Sequence, residues 1–265
     1  MTPDDVFVAS IIEAPDDDAL RLIYADWIEE HGDADRAALV RVQVELARLP
    51  EDAPARATLE RHEDALLAEH ADRWLAPLRD LLPDADCTPL FHRGFVSEVT
   101  FWGQAGARQL AENAEELFRC CPVEVVRLLP IGGPGARTFP WDPPKVEVDR
   151  LGLDDLRAVL ALAQLSRVRL LDLSGTLLES PEDDLQLLVA NYIGDVGARL
   201  LADCPNLRDL QALLLRDNAI RDAGARALVR SPYLRWLTTL DLSHNSLSGV
   251  LKDELEGSTW SRVIV

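Results

Sequence analysis

The sequence predicts an α/β protein in which an all-helical amino-terminal region precedes a solenoid of short parallel strands and outer helices. Three observations lead to this fold class. The first 90 residues carry apolar side chains at helical spacing. The remaining residues contain leucines that recur with a period of 27, and asparagines that follow those leucines at a constant offset.

The first predicted helix begins after Thr2. Thr2 and Asp5 have the spacing of a capping box, and Pro3 stands at the first helical position, where a missing N–H donor is tolerated. Pro15 is expected to end the helix. Apolar residues at helical spacing predict its buried face, namely Val6, Ala9 and Ile12, with Phe7 and Ile11 beside them.

The acidic stretch 16–35 allows three interpretations: a metal site, a pair of catalytic acids, or the cap of a second helix. Its three leading aspartates precede a second apolar stripe, where acids stabilise the positive end of the helix dipole by roughly 0.3 to 1 kcal/mol each. No glycine-made loop with the spacing of calcium ligands is present. Helix capping is therefore the favoured interpretation, and metal-dependent activity of this region is kept as an alternative. The stripe and its stop are Leu20, Ile23, Trp27, Ile28 and Gly32.

Asp26, Glu29 and Glu30 fall on the opposite face of this second helix, where a solvated surface is expected. Tyr24, Asp26 and Arg36 are predicted to form a hydrogen-bonded link between the second and third helices. The third helix runs from about Arg36 to Leu49 and stops before Pro50, and the stretch 53–82 supplies one or two more. Their predicted core residues are Leu59, Leu66, Leu67, Trp74, Leu75 and Leu78.

The segment 18–49, DALRLIYADWIEEHGDADRAALVRVQVELARL, resembles the repeat-companion domain, a short helical module that precedes repeat arrays in large paralogous bacterial families. The family pattern usually continues with an acidic and an aromatic residue where this chain has Ala38 and Leu39. The resemblance implies a helical module over 1–50, followed by a helical connection over 51–90, and it brings no established chemistry. The matching residues are Arg21, Leu22, Tyr24, Ala25, Asp26, Trp27, Glu29, Glu30, Gly32, Asp33 and Arg36.

A period of 27 residues organises the rest of the chain. The stretch 210–229 aligns with 237–256, and in each an asparagine follows two leucines at the same offsets. Asn191 lies 27 residues before Asn218 and opens a segment that matches the one after Asn218. Three matches at one period indicate a structural repeat. The aligned residues are Leu213, Leu215 and Asn218, then Leu240, Leu242 and Asn245.

Two insertions interrupt this period. Leu171 and Leu173 supply the strand expected before Asn191 and put Thr176 at the asparagine position, so an insertion is predicted near 177–191. A second is predicted near 132–149, where glycines and prolines indicate an irregular loop. Two earlier units lack the asparagine and consist of Val99, Phe101 and Gln104, then Val126, Leu128 and Ile131. The five predicted units begin near residues 95, 123, 168, 210 and 237, and SRVIV adds a final strand.

The LxLxxN pattern, its glycine-containing turn and its AxAL helix resemble leucine-rich repeats of the ribonuclease-inhibitor-like class, over residues 91–265. The resemblance implies strands on a concave face and helices on the convex face. It also implies that Asn191, Asn218 and Asn245 satisfy backbone groups between turns of the solenoid. The amino-terminal helices and Trp260 are expected to cap the two ends of the stack.

Composition narrows the partners of the protein. With 46 acidic against 27 basic residues, the net charge of -19 repels nucleic acid and anionic lipid, so the expected partner is a protein, and a basic one fits this field. The four cysteines form no metal-binding pattern, and no segment has the roughly 20 apolar residues of a membrane span. The predicted state is cytoplasmic with reduced thiols and no cofactor.

The predicted function is a non-enzymatic scaffold that binds a protein through its concave face or its inserted loops. The sequence lacks a phosphate-binding glycine loop and a nucleophile elbow, so no catalytic or metal-binding residue is assigned. A regulatory or inhibitory subunit of an enzyme is the alternative, and the oligomeric state is not predicted. The candidate contact residues are Trp102, Arg127 and Arg216 first, then Glu98, Asp172, Asp241, His244 and Trp141 in an insertion.

Overall fold

The computed structural model describes residues 2–83, 87–133, 147–179, 186–256 and 263–265. The chain divides into two compact units. The first unit comprises Met1–Pro83, Pro89–Glu98 and Glu115–Val123, and the second comprises Asp84–Thr88, Val99–Ala114 and Glu124–Val265. The sequence ranges 1–50, 51–90 and 91–265 stay predictions, because compactness is a different criterion from family resemblance.

Four helices build most of the first unit: α1 (Pro3–Glu13), α2 (Asp18–Glu30), α3 (Ala34–Arg48) and α4 (Arg56–Leu81). The predicted capping box of α1 is confirmed, since Thr2 Oγ1 accepts from Asp5 N at 3.2 Å and Asp5 Oδ2 accepts from Thr2 N at 2.6 Å. Asp17 caps α2 by accepting from Ala19 N at 2.9 Å. The acidic stretch therefore begins as a helix cap, as predicted.

The core of the first unit corrects the predicted stripes of α1 and α2. Val6 is 50% exposed and Ile23 is 54% exposed, so neither belongs to the core. The neighbouring Phe7 packs inward, with its ring centroid 5.7 Å from Tyr24 and 5.4 Å from Trp27. Because apolar residues stand next to one another in these helices, their spacing did not determine which side of each helix faces the core. The contacts among the aromatic rings determine it. The buried core residues are Ile11, Tyr24, Ala25, Ile28, Ala37, Val40, Val44 and Phe95.

The predicted link among Tyr24, Asp26 and Arg36 is wrong. The Tyr24 hydroxyl donates to Asp4 Oδ1 at 2.9 Å, and Asp26 accepts from Arg41 at 2.7 Å. The Arg36 guanidinium lies over aromatic rings instead. The exposed ion pair between Arg41 and Asp26 thus joins helices α2 and α3 on their solvent side. On the side that faces the core, aromatic rings pack against Arg36.

In chain order the strands are β1 (Cys87–His92), β2 (Phe95–Trp102), β3 (Val125–Leu129), β4 (Ile131–Gly133), β5 (Glu147–Asp149), β6 (Leu170–Asp172), β7 (Thr176–Glu179), β8 (Gln186–Val189), β9 (Ala212–Leu214), β10 (Thr239–Asp241) and β11 (Val263–Ile264). Seven of them form one sheet in the order β1-β2-β3-β6-β9-β10-β11. The pairs from β3 to β11 are parallel. The α/β class and the final strand at SRVIV are confirmed.

The register of the parallel strands matches the predicted period. Leu171 lies beside Leu213, and Leu213 lies beside Leu240, with Val126 and Val263 continuing the row at its two ends. These leucines are fully buried. The prediction that Leu171, Leu213 and Leu240 occupy adjacent parallel strands is confirmed.

Five more helices follow: α5 (Gly103–Cys120), α6 (Leu153–Leu160), α7 (Gly194–Ala202), α8 (Asp222–Val229) and α9 (Gly249–Glu256). In the second unit α6 contacts α7, and α7 contacts α8, so these helices are neighbours in chain order. Leu156, Leu201 and Leu228 are buried on them. No helix within the described ranges has the length and apolar character needed to cross a bilayer.

Both insertions begin and end as antiparallel hairpins. Strand β4 pairs with β5, with Ile131 beside Asp149, so the irregular loop predicted near 132–149 is wrong at its base. Strand β7 pairs with β8, with Thr176 beside Val189. Trp141 and Trp260, named above for a contact and a cap, lie outside the described residues.

Strand β1 was not predicted. Its sequence CTPLFH contains a proline, and its first four residues fall within the helical connection predicted over 51–90. It ends at a turn in which Arg93 and Gly94 have φ values of 50° and 85°. Left-handed backbone at both central positions is typical of the tight turn between neighbouring strands. The stretch FHRGFV is therefore a strand end, a turn and a strand start.

Candidate functional site

Three asparagines connect consecutive sequence repeats within the second compact unit. Asn218 is fully buried, and its Nδ2 donates to Leu173 O at 2.8 Å and to Arg216 O at 3.1 Å. Its Oδ1 accepts from Ile193 N at 3.4 Å. One side chain thereby satisfies backbone groups next to its own strand and next to the preceding strand.

Asn191 and Asn245 repeat this arrangement. Asn191 donates to Leu128 O at 2.8 Å and Leu173 O at 3.1 Å, and accepts from Leu151 N at 3.0 Å. Asn245 donates to Leu215 O at 2.8 Å and accepts from Ile220 N at 2.9 Å. We call these three residues the asparagine ladder.

The ladder corrects the alignment of the two units that carry insertions. The sequence placed Thr176 and Ile131 at the asparagine position, but Asn191 makes the donor and acceptor bonds of that position in one unit, and Asp149 makes its acceptor bond in the other. Asp149 Oδ1 accepts from Gln104 N at 3.0 Å, as Asn245 Oδ1 accepts from Asn218 N at the same distance. Each hairpin is therefore inserted between a strand and its ladder residue, and Asp149 extends the ladder by one unit.

The side chains between the buried leucines lie on the other side of the sheet. Arg127, Asp172, Leu214 and Asp241 are in register on β3, β6, β9 and β10. We define the open face as these four residues together with Ser174, Arg216 and Ser243, each of which lies two residues after the last residue of β6, β9 or β10. It is a short band of mixed charge with one apolar member.

Two predicted contact residues of the open face form an ion pair. Arg127 Nη1 lies 2.6 Å from Asp172 Oδ2, and the Asp172 carboxylate is largely buried. Asp172 Oδ1 also accepts from Ser174 N at 2.9 Å, and Asp241 accepts from Ser243 N in the same way at 2.9 Å. These carboxylates therefore fix both the strand ends and the position of Arg127.

A second cluster lies at the carboxyl ends of β9 and β10. Arg216 Nε donates to Asp217 Oδ2 at 3.1 Å, and His244 Nδ1 lies 4.0 Å from Asp217 Oδ1. Asp217 and His244 are 27 residues apart and both have left-handed backbone, with φ of 60° and 58°. The Arg216 side chain stays 44% exposed, so it is available for an outside contact.

Trp102 does not join these clusters. Its indole Nε1 donates to Thr88 Oγ1 at 3.2 Å, between β2 and β1. Two strands, β3 and β6, separate β2 from β9, so Trp102 and Arg216 lie roughly 14 Å apart across the sheet. Glu98 lies on β2 with Trp102, half-buried.

Trp236 is an exposed aromatic residue that the sequence analysis did not name as a candidate for contact. Its side chain is 72% exposed, the largest exposed ring of the described residues. It precedes β10, and so lies near the amino-terminal end of the strands, opposite to Arg216 and His244. The sequence did contain a signal for its exposure, because this tryptophan lies outside the leucine positions that are buried in each repeat.

The first unit contains a polar cavity of about 290 Å³ between α3, α4 and β1. Its polar groups bond to one another, since Gln43 donates to Glu63 at 2.5 Å and Arg56 lies 3.3 Å from Glu60. Burial lowers the pKa of His92 at its edge. No residue predicted for a contact lines this cavity.

The acidic stretch carries no ligand cluster. Arg41 pairs with Asp26 and Glu29, at 2.7 and 2.6 Å, and Arg48 pairs with Asp18 at 2.8 Å. The hydrogen bonds that Arg41 donates to both carboxylates raise the pKa of Arg41. Within the described ranges, no three His, Cys, Asp or Glu side chains are grouped closely enough to hold a metal ion.

Comparison with known proteins adds no relative. No family model matches the chain, no curated protein matches it, and no solved structure matches it.

Proposed function

We propose that the chain is a protein-binding scaffold built as a leucine-rich-repeat solenoid, and that the open face with the adjoining strand ends contacts the partner. The observation that carries this proposal is the parallel row of leucines in register, joined by the asparagine ladder. Such a stack places a regular surface of short strands on one side. The function is contact, and we assign no reaction to it.

The repeat architecture has three kinds of support. Each of the last three units contributes a strand, a ladder asparagine and a helix to the same layers. The helices α6, α7 and α8 contact one another in chain order. Two hairpins are accommodated without loss of the ladder, which is how insertions are tolerated in repeat proteins.

The open face is too small to form a standard interface by itself. The four strands that carry it, β3, β6, β9 and β10, span roughly 14 Å, and three residues of each strand add roughly 10 Å in the other direction. This area is well below the ~800 Å² that each partner covers in a standard interface. The proposed surface therefore includes the strand ends, where Arg216 and His244 lie.

Charge indicates the chemistry of the partner. A net charge of -19 attracts basic proteins and raises their association rate at low salt. On the open face Arg127 is held by Asp172, whereas the Asp241 carboxylate accepts a hydrogen bond from the Ser243 backbone amide. We propose a basic protein surface that brings a carboxylate or an aromatic group to Arg216.

The test compares two double variants of the same composition. Arg216→Ala with Asp241→Ala alters the open face, while Arg208→Ala with Asp209→Ala removes an exposed ion pair away from it. Cytosolic proteins retained by the immobilised chain at low and moderate salt are quantified by mass spectrometry. We expect at least one basic protein to be retained by the parent and the control and to fall by about tenfold or more on the open-face variant, a loss of ~1.4 kcal/mol. Equal retention of every protein on both variants would contradict the open-face assignment.

A further inference from the structure

Two adjacent thiols end helix α5. Cys120 is the last residue of the helix and Cys121 follows it, and both are half-buried. Their sulfur atoms lie 3.6 Å apart. Cys120 Sγ also lies 3.5 Å from Leu117 O, one turn back, and Cys121 N donates to the same carbonyl at 2.9 Å. The helix end thus fixes both residues against one carbonyl group.

The hydrogen bonds give the two thiols different roles. The Cys121 S–H is placed to donate to Cys120, which lowers the pKa of Cys120 because the bond stabilises its thiolate. The same bond, together with burial, raises the pKa of Cys121. The two sulfurs therefore differ, with Cys120 the more readily ionised of the pair.

A direct disulfide fits this pair poorly. Adjacent residues across a trans peptide have Cα atoms ~3.8 Å apart, whereas disulfides need about 4.4 to 6.8 Å. No cis peptide bond occurs among the described residues, and closing the bond requires the sulfurs to approach from 3.6 Å to ~2.05 Å. A single atom that bonds to both sulfurs requires a much smaller movement.

We propose that Cys120 and Cys121 form a bidentate binding site for trivalent arsenicals. The step is a condensation without a change in oxidation state. Two S–H bonds and the As=O bond of an aryl arsenoxide are replaced by two As–S bonds, and the oxygen leaves with both protons as water. A closed tetrahedral metal site is not favoured, because it needs four ligands, and the described residues offer no group of three.

The test uses phenylarsine oxide and the intact mass of the protein. Cys87→Ser with Cys204→Ser serves as the parent, so that only the adjacent pair remains, and Cys120→Ser and Cys121→Ser are each added to it. Because the second As–S bond is intramolecular, the monothiol concentration that removes half the label is expected to be at least about 100-fold higher for the parent than for either single variant. A small dithiol should remove the label from all of them.

Circular dichroism establishes that the serine variants are folded. One phenylarsenic group per parent chain, resistant to monothiol, supports the proposal. Equal resistance in the Cys120→Ser or Cys121→Ser variant would overturn it. Rapid formation of an internal disulfide in the parent with glutathione disulfide would also overturn it, because the argument requires the direct bond to be strained.

Discussion

In the second compact unit asparagine side chains make the same set of hydrogen bonds at three successive positions, whereas the hydrogen bonds of buried side chains in the first unit do not repeat. Asn191, Asn218 and Asn245 each join a turn to its neighbour. In the first unit Gln43 alone accepts from Gly94 N at 2.7 Å and donates to Phe91 O at 3.1 Å. Repeated contacts spread their stabilisation along the chain, and unique contacts concentrate it at a few positions.

Arg36 is an example of a residue with unique contacts in the first unit. Its guanidinium carbon lies 5.0 Å from the Trp74 ring centre and 4.6 Å from that of Phe91. Its buried Nη1 has no hydrogen-bond partner among the residues that the structure describes, and burial lowers the pKa of Arg36 to about 10. The charge is stabilised by ring faces rather than by a carboxylate, so it contributes much less than its packing.

The largest expected effect is at Gly94. A Cβ there would lie 2.4 Å from Val40 Cγ2 and 2.8 Å from Val40 Cα, and φ is +85°. We expect Gly94→Ala to lower the free energy of unfolding by about 4 kcal/mol or more, since left-handed strain and overlap with backbone add. Gly32→Ala is the control, because φ is +97° and nothing lies within 4 Å, with an expected cost of about 1 to 2 kcal/mol. Equal losses in urea unfolding would show that overlap with Val40 is unimportant.

The second-largest expected loss of stability is at the asparagine ladder. Asn218→Ala removes three hydrogen bonds of a fully buried side chain, and we expect a loss of about 3 kcal/mol in urea unfolding. Asn113→Ala on α5 removes bonds only to Gln109, one turn away, so its cost should stay below about 1 kcal/mol. Similar losses for the two variants would contradict a special role of the ladder.

Arg36 tests the unique contacts of the first unit. Arg36→Met keeps most of the side-chain volume among the rings and is expected to change the free energy of unfolding by less than about 1 kcal/mol. Arg36→Ala leaves a cavity and should cost about 2 to 3 kcal/mol. Thermal and urea unfolding measure both variants. A loss with Met as large as with Ala would mean that the charge itself, and not its packing, stabilises the unit.

The smallest effect is a pH dependence in the second unit. Ser248 donates to Asp222 from its amide at 2.8 Å and from its hydroxyl at 2.6 Å, and these bonds lower the pKa of Asp222 from 3.8. A lowered carboxylate pKa gives stability that is present above the unfolded value and is lost as pH falls through the folded value. The melting temperature of the protein should therefore exceed that of Asp222→Asn near pH 6, and the gap should shrink below about pH 4. A gap that is independent of pH would contradict this role.

The period made the second unit predictable. Every leucine position assigned from the 27-residue spacing is buried, and Leu171, Leu213 and Leu240 are in register. Asp149 was missed because the hairpin before it shifts it out of the period, and an aspartate does not resemble the asparagine it replaces. The sequence could have indicated Asp149 only through the ability of its side chain to accept a hydrogen bond, and not through its spacing from the other repeats.

The first unit was predicted less well because nothing in it repeats. Helix ends followed from local chemistry at Thr2 and Asp17, which acts within three residues of each cap. The inward face of α1 and the partners of Arg36 depend on rings from distant segments, such as Phe91 and Trp74, and local spacing does not encode these. The same reason explains why the predicted contact residues fall into two clusters with Trp102 apart from both.

Amide hydrogen exchange of Asn218→Ala tests the central claim, that one asparagine per unit joins consecutive turns into a stack. In the parent, the amides of Leu151, Ile193 and Ile220 donate to Asn191, Asn218 and Asn245 and should be protected together. In the variant, Ile193 and the strands β6 and β9 should lose protection by about 100-fold, matching ~3 kcal/mol, while the helices of the first unit keep theirs. Unchanged protection at Ile193, or equal loss in both units, would contradict the claim.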